Sequence, residues 1–538
     1  MQKPSIEPSR AGRGTDGISR VVSRLLLRGT HALTYRRATT MANSFFTRRK
    51  PVELVLEEMA GESRLHRVLG AWTLSSLGIG AIIGTGIFVL TGVAAHDKTG
   101  PALMLSYVVA GLACVFAALC YAEFAAMVPV AGSAYTYAYV TLGEFAAWVI
   151  GWDLVLEYAV ASATVAHGWS HYFQSFIGQF GFEIPVALRN APFDYDPASG
   201  ALARTESVVD LPAVVVALAV TVLLVKGIKE SARVNTFVVF LKVAIVLFVI
   251  VAGIPHVNPA NWEPFAPFGW TGISLFGHTI AGQTGSGGEP VGMIAGAATI
   301  FFAYIGFDSV STHAEEAKNP QRDVPIGIIA SLIICTILYI AVAGVITGMV
   351  PYNEIDIDAP IPQAFAKVGM PWAQLLISTG ALAGITSVLL VLMLSQPRVW
   401  LAMARDGLVP PSFFSAVHPR FRTPWKSTIL TGVFVALLGG FLPLRVLAEL
   451  VNIGTLLAFV IVCGAVLVLR RTHPNMPRPF RCPMVPLVPI LGILLCLLLM
   501  FSLPPENWLR LAIWLLIGLG LYFGYGRRHS ALERRGGV

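Results

Sequence analysis

Runs of about 20 apolar residues recur along the chain, and short polar segments between them hold most of the charged residues. An apolar run of this length is what a helix needs to cross the hydrocarbon core of a bilayer. No polar block between the runs is large enough for a second soluble domain. The pattern therefore predicts an all-α integral membrane protein with twelve transmembrane helices, over residues 71–95, 101–127, 144–176, 209–226, 236–254, 291–314, 326–349, 371–398, 427–443, 446–469, 483–503 and 508–526.

Glycines interrupt the first of these spans, in the stretch Gly78–Phe88, which reads GIGAIIGTGIF. Each glycine in a helix costs about 1 kcal/mol relative to alanine. Inside a bilayer, freed backbone groups are tolerated only where they are buried in protein or line a cavity. We predict that the helix breaks at Gly84-Thr85-Gly86. The alternative is that Gly80 and Gly84, spaced as GxxxG, let another helix pack closely.

A similar interruption recurs in the sixth span, where Gly306 and Asp308 break an apolar run. Each break falls in the first span of a set of five. Two successive sets of five must run in opposite senses because five is odd. The sequence similarity between the sets is thin, and the matched position of the breaks is the evidence. It indicates inverted repeats whose discontinuous helices meet near the midplane of the bilayer.

Charge placement gives a topology. The chain has 538 residues, of which 55% are hydrophobic and 13% charged, with a net charge of +8. If the N-terminus is cytoplasmic, the cytoplasmic segments beyond the first span hold 18 Lys and Arg residues and the outer loops hold 6. This bias is typical of cytoplasmic loops, so we expect both termini to be cytoplasmic.

Of the 38 Lys and Arg residues, 13 more lie before residue 71, and the one left over is Lys242, which lies inside the fifth span. An ionisable residue at that depth indicates a functional site, with snorkelling to the membrane surface as the alternative.

The domain organisation follows from the spans. Residues 1–65 are polar and Arg-rich and are expected to form a disordered cytoplasmic segment, with Met41 as a possible true start. Residues 66–470 are the predicted core of two five-helix repeats, residues 471–526 two additional helices, and residues 527–538 a cytoplasmic tail. The six cysteines form no CxxC pair and are expected to be reduced helix residues.

The ends of broken helices have unpaired backbone groups that are able to bind charged ligands. The half-helix after Gly86 presents unpaired N–H groups and a positive dipole end, which suit a carboxylate. The half-helices that end near Ile82 and at 302–305 present carbonyl groups, which suit an ammonium. Together these ends match the two charged groups of an α-amino acid.

Four motifs carry a family resemblance: Gly78–Phe88, AEFAAMVPVAGSAYTY at 122–137, FFAYIGFD at 301–308 and EEAKNPQRDVP at 315–325. Over residues 60–526 the chain resembles the amino acid–polyamine–organocation superfamily, and within it the bacterial members of the cationic amino acid transporter family. The resemblance implies the leucine-transporter fold, a 5+5 inverted repeat plus two further helices. It also implies a substrate site around the two breaks, formed by Ile82, Gly84, Thr85, Gly86, Phe302, Ala303 and Ile305, with Ile385 in its far wall.

The same resemblance implies that Lys242 replaces a sodium ion and contacts the first-span backbone and the hydroxyl of Thr386 or Ser387. A desolvated lysine can lose and regain a proton, which predicts proton-coupled uptake. Glu157, deep in the third span one turn after Asp153, is a further candidate for proton relay or for lining the pocket. The alternative for Glu157 is a buried hydrogen bond between helices.

Three further groups of residues are candidates for specific roles. Glu315 and Arg322, at the cytoplasmic end of the sixth span, form a candidate gate, with plain loop charges as the alternative. Asp308 is expected to cap the half-helix that follows it. His167 and His171, spaced i, i+4, would suit a metal, but the sequence shows no third ligand, so we expect no metal.

The sequence thus predicts a secondary active transporter that imports α-amino acids with protons by alternating access, in a bacterial inner membrane. The alternatives are a proton-independent amino acid or polyamine exchanger, and a sensor or accessory subunit without transport. We expect no enzyme activity, no cofactor and no nucleic-acid partner. Ile385 favours neutral substrates and the family name favours cationic ones, so the side chain and the oligomeric state stay open.

Overall fold

The structure is a computed structural model that describes residues 48–51, 69–128, 132–196, 201–227, 232–276, 278–285, 288–421 and 423–536. These ranges are mostly helical. We number the α-helices of eight or more residues α1 (Ala71–Ile82), α2 (Leu103–Met127), α3 (Ser133–Thr141), α4 (Glu144–Gly178), α5 (Leu211–Lys226), α6 (Ala232–Gly253), α7 (Met293–Ile300), α8 (Pro320–Met349), α9 (Pro360–Lys367), α10 (Pro371–Arg405), α11 (Trp425–Phe441), α12 (Leu444–Thr472), α13 (Leu487–Phe501) and α14 (Pro505–Leu521).

Shorter elements join these helices. Three antiparallel hairpins pair Phe193–Asp196 with Ala201–Arg204, Ile273–Leu275 with His278–Ala281, and Gln283–Thr284 with Pro290–Val291. The short helical segments are Gly86–Leu90, Thr91–Ala94, Ala95–Thr99, Gly100–Ala102, Val186–Leu188, Ile254–His256, Pro259–Trp262, Phe301–Tyr304, Ser309–Thr312, Ala314–Glu316, Tyr352–Glu354, Pro411–Phe414, Tyr522–Gly526, Arg527–His529 and Ala531–Gly536.

The protein is a multi-pass integral membrane protein. Among the described residues, 8 helices are long and apolar enough to cross a membrane, and the shorter apolar helices α1, α5, α11 and α13 have 10–17 residues each. Each of the twelve ranges predicted from hydropathy overlaps helical structure. The count of twelve spans, the domain boundaries and the orientation of the termini stay predictions. Most of the predicted segment 1–65 lies outside the described residues.

Both predicted interruptions are present. Helix α1 ends at Ile82, and the backbone of Ile83 is extended, with ψ 101°. Helical structure resumes with the π-helical segment Gly86–Leu90. In the second case α7 runs into the turn Phe301–Tyr304, after which Ile305 is extended, with ψ 135°. Gly306 then has φ 117°, a conformation that L side chains rarely adopt.

The two interruptions touch each other. A Cβ added at Gly86 would lie 2.3 Å from the Cα of Ala303, and one added at Gly306 would lie 2.9 Å from the carbonyl oxygen of Ala81. Both distances are shorter than real Cβ contacts, so glycine is required for this approach. Each break therefore packs its backbone directly against the other one.

Glu123 ties the end of α2 to the last part of the chain. Its carboxylate accepts hydrogen bonds from Arg470 at 2.7 Å, from Arg478 at 3.1 Å and from the amide of Cys482 at 2.8 Å. The side chain of Glu123 is buried, and such a carboxylate needs its cations and donors close by. Glu123 is therefore a structural residue. All six cysteines are buried and free, as expected, but Cys482 lies between α12 and α13 and not in a helix.

The contact between the breaks gives the first prediction. Gly86→Ala should lower the free energy of unfolding by about 1–3 kcal/mol, because the new methyl group overlaps the backbone of Ala303. Gly464→Ala, inside α12 with nothing within 4 Å of its added Cβ, is the matched control and should be neutral or stabilising by up to about 1 kcal/mol. Thermal unfolding of the two variants in detergent measures this. Equal transition temperatures for both would contradict the proposed crowding at Gly86.

Candidate functional site

Lys242 lies at the end of the first half-helix. Its ammonium donates to the carbonyl oxygens of Gly80 at 2.6 Å and Ile83 at 3.1 Å, and its side chain is buried. Gly384 of α10 allows the lysine stem to pass, since a Cβ there would lie 3.2 Å from the Cγ of Lys242. A positive charge thus meets the negative end of the α1 dipole, where carbonyls have lost their helical partners.

Tyr339 of α8 connects the two interruptions. Its hydroxyl lies 2.8 Å from the carbonyl oxygen of Ile82 and 3.0 Å from that of Ala303, so one O–H group serves both breaks. Our sequence reasoning missed this residue. The available signal was a phenol inside an apolar run, because a buried tyrosine hydroxyl usually has a hydrogen-bond partner.

Asn452 of α12 likewise donates hydrogen bonds to backbone carbonyl groups, here at the end of α7. Its side-chain amide donates to the carbonyl oxygens of Ala298 at 2.9 Å and Thr299 at 3.1 Å. The sequence analysis missed this residue too, and a polar amide within an apolar span was its signal. Side chains from α6, α8 and α12 therefore satisfy carbonyl groups that the two breaks release.

The predicted substrate residues lie around this contact. Seven of them are buried at the two interruptions: Ile82, Gly84, Thr85, Gly86, Phe302, Ala303 and Ile305. Among the described residues the hydroxyl of Thr85 has no hydrogen-bond partner. A Cβ on Gly84 would meet Val388 of α10, and the fully buried Ile385 lies one helical turn before Val388 on that helix. The structure thus brings the predicted set together.

The hydroxyls of Thr386 and Ser387 lie on α10, which corresponds to the eighth predicted span, and form hydrogen bonds with groups other than Lys242. The hydroxyl of Thr386 donates to Leu382 at 2.7 Å and accepts from the indole of Trp169 at 3.0 Å. The hydroxyl of Ser387 donates to Gly384 at 3.2 Å. In this conformation the hydrogen bonds described for the Lys242 ammonium both go to the first-span backbone. A role of these hydroxyls in proton coupling stays a prediction.

Three carboxyl groups are buried on α4 and at the second break: Asp153, Glu157 and Asp308. Neither oxygen of Asp153 or of Glu157 has a hydrogen-bond partner among the described residues. Asp308 accepts from the hydroxyl of Tyr158 at 2.6 Å, and its other oxygen has no described partner. Asp308 makes no side-chain capping hydrogen bond to the helix that follows it, so the predicted capping role is wrong. The role of Glu157, as a proton relay, a pocket residue or a link between helices, stays a prediction.

The candidate gate is partly described. The side chain of Glu315 lies outside the described part of the structure, and that of Arg322 is exposed at the start of α8. The neighbouring Glu316 pairs with Arg398 at 3.4 Å. A buried ion pair of 2.7 Å also joins Lys50 to Asp406, just after α10. The gate stays a prediction, and these two pairs are contacts that the sequence did not indicate.

Comparisons with known proteins find similarity to membrane permeases and transporters. A family profile described as "Amino acid permease" matches residues 69–520. A methylthioribose transporter of Bacillus subtilis strain 168 is 47% identical over 487 residues, 90% of this chain and 99% of the relative. The branched-chain amino acid permease BcaP of the same strain is 48% identical over 495 residues, 92% of this chain and 100% of the relative.

Plant relatives extend this similarity. A vacuolar cationic amino acid transporter 4 of Arabidopsis thaliana is 42% identical over 435 residues, which are 80% of this chain and 67% of the relative. The relatives therefore include proteins named for neutral and for cationic amino acids.

The position of Tyr339 gives the second prediction. Tyr339→Phe leaves the carbonyls of Ile82 and Ala303 without this donor and should lower the free energy of unfolding by about 1–3 kcal/mol. Tyr352→Phe is the control, because Tyr352 is half-buried and its hydroxyl has no described hydrogen bond. Thermal unfolding in detergent compares the two. A shift at Tyr352 as large as that at Tyr339 would remove the assigned role.

Proposed function

Since the chain belongs to the amino acid permease family, we propose that it is a secondary active transporter that imports α-amino acids together with protons by alternating access. The proposed architecture is the leucine-transporter fold, with two inverted five-helix repeats and two further helices. The proposed location is a bacterial inner membrane with both chain termini cytoplasmic. Its partners are the amino acid, protons and lipid, and it is not an enzyme.

The observation that carries this proposal is the direct contact between two interrupted helices. At this contact the second half of the first broken helix presents its N-terminal amides, which suit a carboxylate. The hydroxyl of Thr85, which has no hydrogen-bond partner in the described part of the chain, lies beside them and is available as a further donor. The carbonyls of Ile82 and Ala303, with which Tyr339 interacts, supply acceptors for an ammonium. An α-amino acid has the charge pattern that fits these groups.

Proton coupling is assigned to Lys242. Its described partners are two neutral carbonyls, so the ammonium alone supplies charge at the end of α1. Loss of the proton weakens its hold on the broken backbone, and regaining the proton restores it. A proton at this position is thereby linked to the conformation of the substrate site. Glu157, with no described hydrogen bond, is a second group that is able to exchange a proton.

For the side chain we propose neutral, aliphatic amino acids. Ile385 is fully buried next to the first break and offers no partner to a cation. The relative named for branched-chain amino acids also aligns over its whole length. The second candidate is a cationic side chain, because the unpartnered oxygens of Asp308 and Glu157 would suit a positive charge.

The third prediction tests coupling in liposomes that contain the purified protein. An inward proton gradient should stimulate accumulation of the amino acid. Lys242→Met should reduce accumulation to the level without a gradient, because the ammonium on the Gly80 and Ile83 carbonyls is lost. Lys226→Met removes an exposed ammonium at the end of α5 and should leave uptake unchanged.

The outcomes separate the alternatives. Counterflow without gradient stimulation would indicate a proton-independent exchanger, and binding without flux would indicate a sensor. Full gradient-driven accumulation by Lys242→Met would show that coupling lies elsewhere.

The fourth prediction concerns the substrate class. In the same liposomes, unlabelled leucine, isoleucine and valine should compete with labelled leucine, whereas lysine and arginine should not, because Ile385 gives a cation no partner. Competition by lysine and arginine that is lost in Asp308→Asn would instead support the cationic candidate.

A further inference from the structure

A second polar cluster lies towards the C-terminal end of α4, the end predicted to face outside. His167 and His171 stand one turn apart on this helix, with their ring centroids 4.7 Å from each other. Both side chains are largely buried. The sequence offered this pair as metal ligands but showed no third one. The structure brings two carboxylates to it from other parts of the chain.

The first carboxylate is Asp210, the residue before α5. One of its oxygens accepts from the hydroxyl of Ser170 at 2.6 Å and from the amide of Ala213 at 3.1 Å, which fixes the orientation of the group. The other oxygen, Oδ2, is buried without a hydrogen-bond partner among the described residues and lies 3.1 Å from Nδ1 of His167. The ligand atoms of His167, His171 and Asp210 all lie within 4.8 Å of one another.

The second carboxylate is Asp358, in the loop before α9. Its Oδ1 lies 2.8 Å from Nδ1 of His171. The other ring nitrogen of His171, Nε2, lies 3.1 Å from the side-chain oxygen of Asn190 and donates its hydrogen there. This arrangement is typical of metal-binding histidines, whose second nitrogen is held by an oxygen acceptor. It leaves Nδ1 of His171 directed towards the cluster.

The site is open to ions from one side. Both histidines and Asp358 line a cavity of about 110 Å³, which is large enough for water and a small cation. The side chain of Asp358 is 63% exposed, whereas that of Asp210 is fully buried. An ion therefore has an entry path past Asp358 to the two histidines, and the buried Oδ2 of Asp210 lies beside His167.

We propose that His167, His171, Asp210 and Asp358 form a binding site for a divalent transition metal, with Zn²⁺ as the preferred ion. Two imidazoles and two carboxylates are a donor set that Zn²⁺ binds in tetrahedral geometry with bonds of about 2.0–2.2 Å. The separations of 3.1 Å between His167 and Asp210 and of 2.8 Å between His171 and Asp358 are shorter than the roughly 3.3–3.6 Å between the ligand atoms of such a tetrahedron, so each pair has to move apart to admit the ion.

Hydrogen bonds alone account for the cluster less well. Nδ1 of His167 also lies 3.3 Å from the carbonyl oxygen of Gly439, so a single hydrogen there would have to be shared between that oxygen and Asp210. A buried carboxylate oxygen without a partner is costly. A cation removes this cost, and it joins α4, α5 and the loop before α9. The proposal does not depend on the proposed transport function.

The test uses the full chain, purified in detergent, freed of any affinity tag and stripped with a chelator. Titration calorimetry with Zn²⁺ should show one site per chain. Co²⁺ as a spectroscopic probe should give the visible absorption of a tetrahedral site, and Zn²⁺ should displace it. His171→Gln should abolish both signals. His256→Gln, at an exposed histidine, is the matched control and should retain them.

Two more variants distinguish loss of a metal ligand from misfolding of the His171→Gln protein. Asp358 lies in an exposed loop, so Asp358→Asn should fold and still weaken Zn²⁺ binding. Asn190→Ala removes no ligand and should weaken binding by about 10- to 100-fold by releasing the ring of His171. Absence of saturable Zn²⁺ binding in the unmodified chain would overturn the proposal. So would unchanged affinity in both His171→Gln and Asp358→Asn.

Discussion

A carbonyl group released by a broken helix inside a bilayer has no water to bind, and this constraint organises the molecule. The structure answers it with donors from three other helices. Lys242 of α6 serves Gly80 and Ile83, Tyr339 of α8 serves Ile82 and Ala303, and Asn452 of α12 serves the end of α7. Each donor must reach its carbonyl, so the breaks also fix where these three helices pack.

Close packing of the two breaks makes them a single unit. Gly86 and Gly306 allow backbone to lie against backbone, and Tyr339 can therefore reach both breaks with one hydroxyl. An ammonium arriving at these carbonyls has to share them with that hydroxyl or displace it. Movement of one half-helix changes the hydrogen bonds of the other. In the proposed transport mechanism, this is a route from ligand binding to conformational change that needs no charged side chain in direct contact with the ligand.

The sequence predicted those features that interrupt the apolar pattern of a membrane-spanning helix. Glycines within apolar runs located both interruptions, and Lys242 was recognised because it is a charged residue inside a predicted transmembrane helix. Tyr339 and Asn452 escaped because an uncharged polar residue barely changes hydropathy, although its hydrogen bonds matter greatly inside a membrane. Asp210 was missed as a partner of His167 because the two are separated by a hairpin and a loop. Asp308 was assigned to a cap because local spacing cannot reveal the hydroxyl of Tyr158 on another helix.

The buried carboxyl groups link substrate charge to proton movement. Asp153, Glu157 and Asp308 lie deep in the protein with oxygens that have no described partner. A bare charge at that depth is costly, so each group needs a proton or a nearby cation. A neutral side chain brings no cation to these carboxyl groups, and protons then have to balance them. A cationic side chain would take over part of that task. The proposed choice between a neutral and a cationic side chain therefore depends on whether these acids carry protons.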